Sequence, residues 1–139
     1  MSTVQKSMRI PEELIKELKV ITQESGKDFS TVTKELLQEA IKMRRCPGIV
    51  FTVGVSGRRA RIAGTGIEVW EVIANYKSID KDLNRLHKTY HWLTEQQLKT
   101  AIGYWKTYPD EIDHLITQDE SWTKERIHER YPFLEKIGS

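Results

Sequence analysis

Between Val4 and Pro11 the side chains alternate in kind and then meet a proline. Successive residues of a strand point to opposite faces, so Val4, Met8 and Ile10 share one face, interrupted only by Lys6. Gln5, Ser7 and Arg9 share the other, which is suited to hydrogen bonding. A strand this short, followed at once by helix, has no neighbour in its own chain to satisfy its backbone groups or cover Met8 and Ile10. The simplest neighbour is the same strand of a second copy.

Pro11 has a φ compatible with helix and lacks an N–H, which suits a helix start. Glu12, Glu13 and Glu17 oppose the positive end of the dipole. Leu14, Leu18 and Ile21 recur at helical spacing, and the pattern predicts an amphipathic helix from about Glu12 to Ser25. Gly26 supplies a left-handed stop, and Phe29-Ser30 places an apolar residue before a good N-cap. A second helix is expected from about Thr31 to Arg44, with Val32, Leu36, Leu37, Ala40 and Ile41 on one side.

The order of strand, proline-led helix, glycine turn and capped helix resembles the ribbon-helix-helix family of dimeric DNA-binding proteins. An ordinary helical hairpin with a frayed terminus is the plain alternative. The resemblance implies an intertwined dimer whose two strands pair antiparallel and enter the major groove, which admits a two-stranded ribbon. By position Gln5, Ser7 and Arg9 would face the bases, where Gln suits adenine, Arg suits guanine, and Ser donates or accepts. Amides around Ser30, Thr31 and Val32 would hold a phosphate, as helix N-termini do, with Lys27 beside them. Lys6 stands where that family usually has an apolar residue; its stem can still cover apolar surface.

Charge is uneven along the 139 residues, although the net value is only +2. Residues 1–78 hold 13 Lys and Arg against 9 Asp and Glu, and residues 79–139 hold 9 against 11. A polyanion should therefore meet the first half. The single cysteine, Cys46, excludes an internal disulfide. No apolar run approaches the roughly 20 residues that span a bilayer, and the start Met-Ser-Thr-Val lacks signal-peptide character. A cytoplasmic protein without a membrane partner is the expectation.

Arg44-Arg45-Cys46-Pro47-Gly48 marks a boundary, because Pro47 cannot continue a helix. Ile49–Val53 reads as a strand, Gly54–Gly57 as a turn, and Arg58–Ile62 as the returning strand. Arg58, Arg59 and Arg61 fit either nucleic-acid contact or an edge protected by charge. Helices follow: a stripe of Val69, Val72, Ile73 and Tyr76; a second helix capped by Asp80; a third opened by the Thr94/Gln97 capping box; and a fourth from Pro109 to about Ile116. Three short helices with tight turns are compatible with a helix-turn-helix.

The phrases Ile62–Trp70, Tyr90–Thr94, Ala101–Trp105 and Tyr108–Asp113 together resemble a small helix-turn-helix-like domain of unknown function. Members of that family are often antitoxins encoded beside PIN-like ribonuclease toxins. Gly66 stands where the family pattern has Arg, and Lys77-Ser78 where it has Gly.

The expected architecture is mainly α with short β. Residues 1–45 form the ribbon-helix-helix, 46–117 the β-hairpin and helix-turn-helix-like domain, and 118–139 a C-terminal helical tail. The tail's Trp122, Ile127, Tyr131, Phe133 and Leu134 are too apolar for a solvated linker. They dock either on the chain itself or on a partner, for which Trp122, Arg126, Arg130, Tyr131 and Phe133 are candidate anchors.

No catalytic constellation emerges. His87 and His91 are four apart and His114 lies near Asp110 and Asp113, but three or four ligands with a Cys pair or HExxH are missing. Acidic residues after Pro109 fit the helix dipole. The expectation is a non-enzyme without cofactor or metal: an antitoxin and autoregulatory repressor that binds double-stranded operator DNA and neutralises a PIN-like ribonuclease toxin. Such toxins hold Mg²⁺ between acidic residues, so an inserted Arg126 or Arg130 would displace or block the ion. The alternatives are a stand-alone ribbon-helix-helix transcription factor whose middle domain senses a small molecule or oligomerises, and a middle domain that reads DNA itself.

Overall fold

The computed structural model describes residues 2–54 and 57–121. Among the described residues there are six helices and one two-stranded antiparallel sheet, and the chain divides into two compact units, Met1–Lys42 and Met43–Ser139. Among the described residues no helix is long and apolar enough to cross a membrane.

In the first unit residues 2–11 carry no regular structure in the single chain, where the expected strand has no neighbour. Helix α1 runs Glu12–Ser25. The Pro11 carbonyl accepts from the Leu14 and Ile15 amides at 3.1 and 3.2 Å, so Pro11 caps the helix from just outside it. Gly26, at φ 70°, ends it and donates its amide to the Thr22 carbonyl, a turn that glycine enters without steric cost.

Helix α2 runs Phe29–Arg45, beginning before the expected Thr31. The cap is Asp28, not Ser30: its carboxylate accepts the Thr31 amide at 2.7 Å, and its carbonyl accepts the Val32 amide at 3.1 Å. A carboxylate serves this role as well as a hydroxyl, and taking it two residues upstream draws Phe29 and Ser30 into the helix. Helix α1 buries no residue, and α2 buries only Val32.

The second unit has a core of its own. Strands β1 (Ile49–Gly54) and β2 (Gly57–Ile62) pair as expected, with Ile49 opposite Ile62 and Phe51 opposite Ala60 on the face turned to the core. Val50 opposite Arg61 and Thr52 opposite Arg59 occupy the other face. Past β2 the chain doubles back. Thr65 Oγ1 donates to the Ile62 carbonyl at 2.8 Å and accepts the Ile67 amide at 3.0 Å, while the Ile62 amide reaches the Ile67 carbonyl at 2.9 Å. This tight return sets Glu68 opposite Arg61.

Helices α3 (Val69–Ser78), α4 (Leu83–Thr89), α5 (Glu95–Thr107) and α6 (Pro109–Ser121) complete the unit. Val69, Val72, Ile73, Leu86, Leu98, Ala101, Ile102, Tyr104 and Ile112 pack with the hairpin's inner face. Asp82, rather than Asp80, caps α4, accepting the Asn84 and Arg85 amides at 3.0 and 3.2 Å. Asp80 and Lys81 instead make the turn, both at φ 58°, with the Lys81 amide on the Tyr76 carbonyl at 2.8 Å. The α5 box forms as the pattern predicts: Thr94 Oγ1 accepts the Gln97 amide at 3.0 Å, and Gln97 Oε1 accepts the Thr94 amide at 2.8 Å. Helix α6 outlasts its expected end at Ile116.

Candidate nucleic-acid interface and the acid-arginine cluster

Gln5, Ser7 and Arg9 are all exposed in the segment before α1. The apolar residues alternating with them are equally uncovered, Val4 at 83% and Met8 at 76% exposure. The helices behind them repeat the pattern. Leu14, Ile21, Leu37 and Ile41 are exposed and Leu18 and Leu36 half-buried, so of the stripes expected to form a core only Val32 is fully covered within one copy.

Lys27, Ser30 and Thr31 are exposed at the start of α2, but two of them are already engaged. The Thr31 amide donates to Asp28, and the Thr31 amide and hydroxyl hold the Asp28 carboxyl below the ordinary aspartate range. Lys27 Nζ donates to both oxygens of Glu35 at 2.9 and 3.1 Å. Ser30 lies in the first turn of the helix instead of capping it. The residue preferences that point to Ser30 apply equally to Asp28, so the sequence holds the signal without ranking it.

In the second unit the hairpin arginines are engaged by protein partners. Arg58 Nη2 donates to the Phe51 carbonyl at 3.0 Å, and Arg61 Nη1 to the Gly66 carbonyl at 3.0 Å. Arg59 Nη1 and Arg61 Nη2 lie 3.8 and 4.0 Å from Glu68 Oε1, close enough for ion pairing but too long for hydrogen bonds. Arg61 Nε, Glu68 Oε1 and Trp70 Nε1 are buried without hydrogen-bond partners among the described residues.

Glu71 lies one turn along α3 from Glu68, and burial raises its carboxyl above the ordinary glutamate range. The Glu68 carboxylate raises it further, and Arg61 opposes the shift. Burial also raises the Tyr90 phenol, whose oxygen accepts from Asn75 Nδ2 at 2.6 Å. The sequence gives no sign of this cluster, because it exists only once the Gly64–Gly66 return brings Glu68 to β2. Its chemistry is proton holding and charge neutralisation, which favours the edge-protecting reading of the hairpin arginines.

The histidines do not converge. His87 Nε2 sits 2.8 Å from the Leu93 carbonyl, an acceptor that requires the proton on that nitrogen. His91 lies beyond the end of α4 and meets the Trp92 ring edge to face at 5.1 Å, so the two never share a helical face. Asp113 Oδ1 accepts from Lys77 Nζ at 2.6 Å and Trp105 Nε1 at 3.0 Å. Among the described residues no group of three or more His, Cys, Asp or Glu is placed to hold a metal. Trp122, Arg126, Arg130, Tyr131 and Phe133 lie outside the described residues.

Residues 49–105 match the profile of DUF433, a protein family of unknown function. Through this segment the chain belongs to the DUF433 family. A crystal structure at 2.00 Å resolution of a DUF433 member protein from Anabaena variabilis ATCC 29413 is similar at 30% sequence identity, over 78% of this chain and 86% of that one, with a TM-score of 0.44. No curated protein matches the chain. The DUF433 segment takes in the whole hairpin, the Gly64–Gly66 return, α3, α4 and most of α5. The first unit and α6 lie outside it.

Proposed function

We propose that this chain is a dimeric operator-binding repressor whose second unit and C-terminal segment neutralise a partner nuclease, the antitoxin half of a toxin-antitoxin pair. The supporting observation is the first unit's lack of a core. Covering what is still exposed of side chains such as Val4, Met8, Leu37 and Ile41 would stabilise it by on the order of 1–2 kcal/mol each. A second copy offers the same face in return. Pairing of two N-terminal segments would cover Val4 and Met8 and leave Gln5, Ser7 and Arg9 on the outer face, where a groove can be read. Units this small gain most from such sharing.

The DUF433 segment differs in having its own buried core and neutralised arginines, and it suits a folded platform more than a second DNA reader. Toxin recognition falls to this platform and to the residues after Ser121. A PIN-like ribonuclease is the partner that the sequence resemblance suggests, with Arg126 and Arg130 addressing its acidic metal site. Toxin and operator binding would be linked reciprocally through the dimer.

Co-expression with the neighbouring reading frame, with only this chain tagged, tests the proposal. The expected result is a complex stable through size exclusion whose partner regains ribonuclease activity on release. A clean dimer that binds upstream DNA without a companion would reduce the function to transcriptional control. A monomer without DNA binding would overturn it.

A further inference from the structure

Trp92 is 60% exposed, although the turn that carries it is held on both sides. Tyr90 and Leu93 are buried, the Leu93 amide donates to the Tyr90 carbonyl at 3.0 Å, and His87 Nε2 donates to the Leu93 carbonyl at 2.8 Å. The Tyr90 and His91 rings meet the Trp92 ring edge to face at 5.6 and 5.1 Å. The indole is therefore fixed in place while most of its surface stays in water. A lone exposed apolar side chain is ordinary, but this one follows two cations. Arg85 and Lys88 are exposed and three apart on α4, which makes them neighbours on its surface, and Lys88 comes four residues before Trp92. Among the described residues no ion pair or side-chain hydrogen bond engages the Arg85 guanidinium or the Lys88 ammonium. The nearby acids lie to either side. Asp80 sits in the preceding turn, Asp82 caps the start of α4, and Glu95 lies beyond Trp92, 3.4 Å from Lys99.

We propose that Arg85, Lys88 and Trp92 form a docking surface for an acidic segment of a partner protein. Two carboxylates of that segment meet the cations, the guanidinium taking one of them bidentately, and an apolar side chain beside them packs on the indole. Trp and Arg are the side chains that most often anchor interfaces. The charges also limit the occupant's length. A nucleic-acid strand carries its phosphates without a break and needs a continued row of cations. Here Asp80 and Asp82 on one side and Glu95 on the other would repel such a strand, whereas a short acidic segment ends before it reaches them. The inference deepens the reading of this unit as a partner-binding platform, and it rests on that reading for the partner used in its test.

The experiment titrates the purified product of the neighbouring reading frame into the full chain by calorimetry, at low and at physiological salt. Trp92→Ala is expected to weaken binding by about tenfold or more at both salts, and Trp92→Phe to keep most of the affinity. Arg85→Gln with Lys88→Gln, which keeps helix propensity, should cost about tenfold at low salt and less as salt rises. Wild-type affinity in both sets of variants would overturn the inference and leave the platform reading intact. A wild-type chain that does not bind the neighbouring product would overturn both. Single-stranded oligothymidine titrated in parallel tests the other occupant: losses on the oligonucleotide instead of on the protein would also overturn the inference. If Trp92→Ala lowers the thermal midpoint, the Gln pair alone decides.

Discussion

Arg9 carries the sharpest consequence of the proposed function. If its guanidinium reads a guanine, Arg9→Ala should cost about 1–3 kcal/mol at one base pair and flatten preference there, whereas Lys27→Ala should weaken all sequences alike. Fluorescence anisotropy on duplexes substituted one base pair at a time separates the two patterns; equal, sequence-blind losses would remove Arg9 from the groove. Ionisation gives a second prediction. The carboxyls of Asp28 and Asp113 are held below their ordinary value of 3.8, the first by Thr31 and the second chiefly by Lys77. Their contribution is present above that value and fades as pH falls through the lower folded values. Glu71 acts in reverse: its folded carboxyl keeps a proton above 4.5, so its charged form opposes folding at neutral pH. Glu71→Gln should raise the urea midpoint at pH 7 and leave it unchanged where the carboxyl is already protonated; a lower midpoint at pH 7 would show that the pairing with Arg61 dominates. The exposure of Gln5, Ser7 and Arg9 agrees with the alternation of residues 4 to 10, but Val4 and Met8 are exposed with them in the single chain. The Asp28 and Glu35 contacts were not visible in the sequence, because two equally good caps precede α2 and Glu35 meets Lys27 only across the turn.

At the scale of elements, the best-read feature is the start of α5. Thr94 and Gln97 stand at the spacing that closes two amides reciprocally, and both bonds form. Thr94→Ala should cost about 1 kcal/mol of stability in urea titration. The start of α4 was harder to read. Asp80 and Asp82 are both caps by type, and the choice follows from the way α3 ends, with Asp80 and Lys81 bent into left-handed conformations. Gly48 marks a similar tertiary demand. It sits at φ 96°, and a Cβ there would meet Thr100 Cγ2 at 3.1 Å. Gly48→Ala should destabilise the second unit by about 1–3 kcal/mol. Adding Thr100→Ala would relieve the contact but not the backbone strain, so only partial recovery is expected.

For the whole molecule, the two compact units divide within the last turns of α2, a few residues before the Pro47 boundary where the sequence changes from helices to hairpin. That helix continues to Arg45 because nothing before Cys46-Pro47 stops it. The second unit could be foreseen as a hairpin and helices, but its acid-arginine cluster could not, since strand and helix meet there through a return of a few residues. If the first unit shares its core with a second copy, as proposed, its unfolding follows mass action. Circular dichroism melts across a hundredfold range of protein concentration should show a midpoint that rises with concentration for residues 1–42 and stays fixed for the rest; concentration-independent melting throughout would contradict the shared core. Because α1 buries nothing and α2 buries only Val32, two copies that share this core, as proposed, would tie protease resistance to abundance: a chain that has not met its partner would be cut sooner than a paired one.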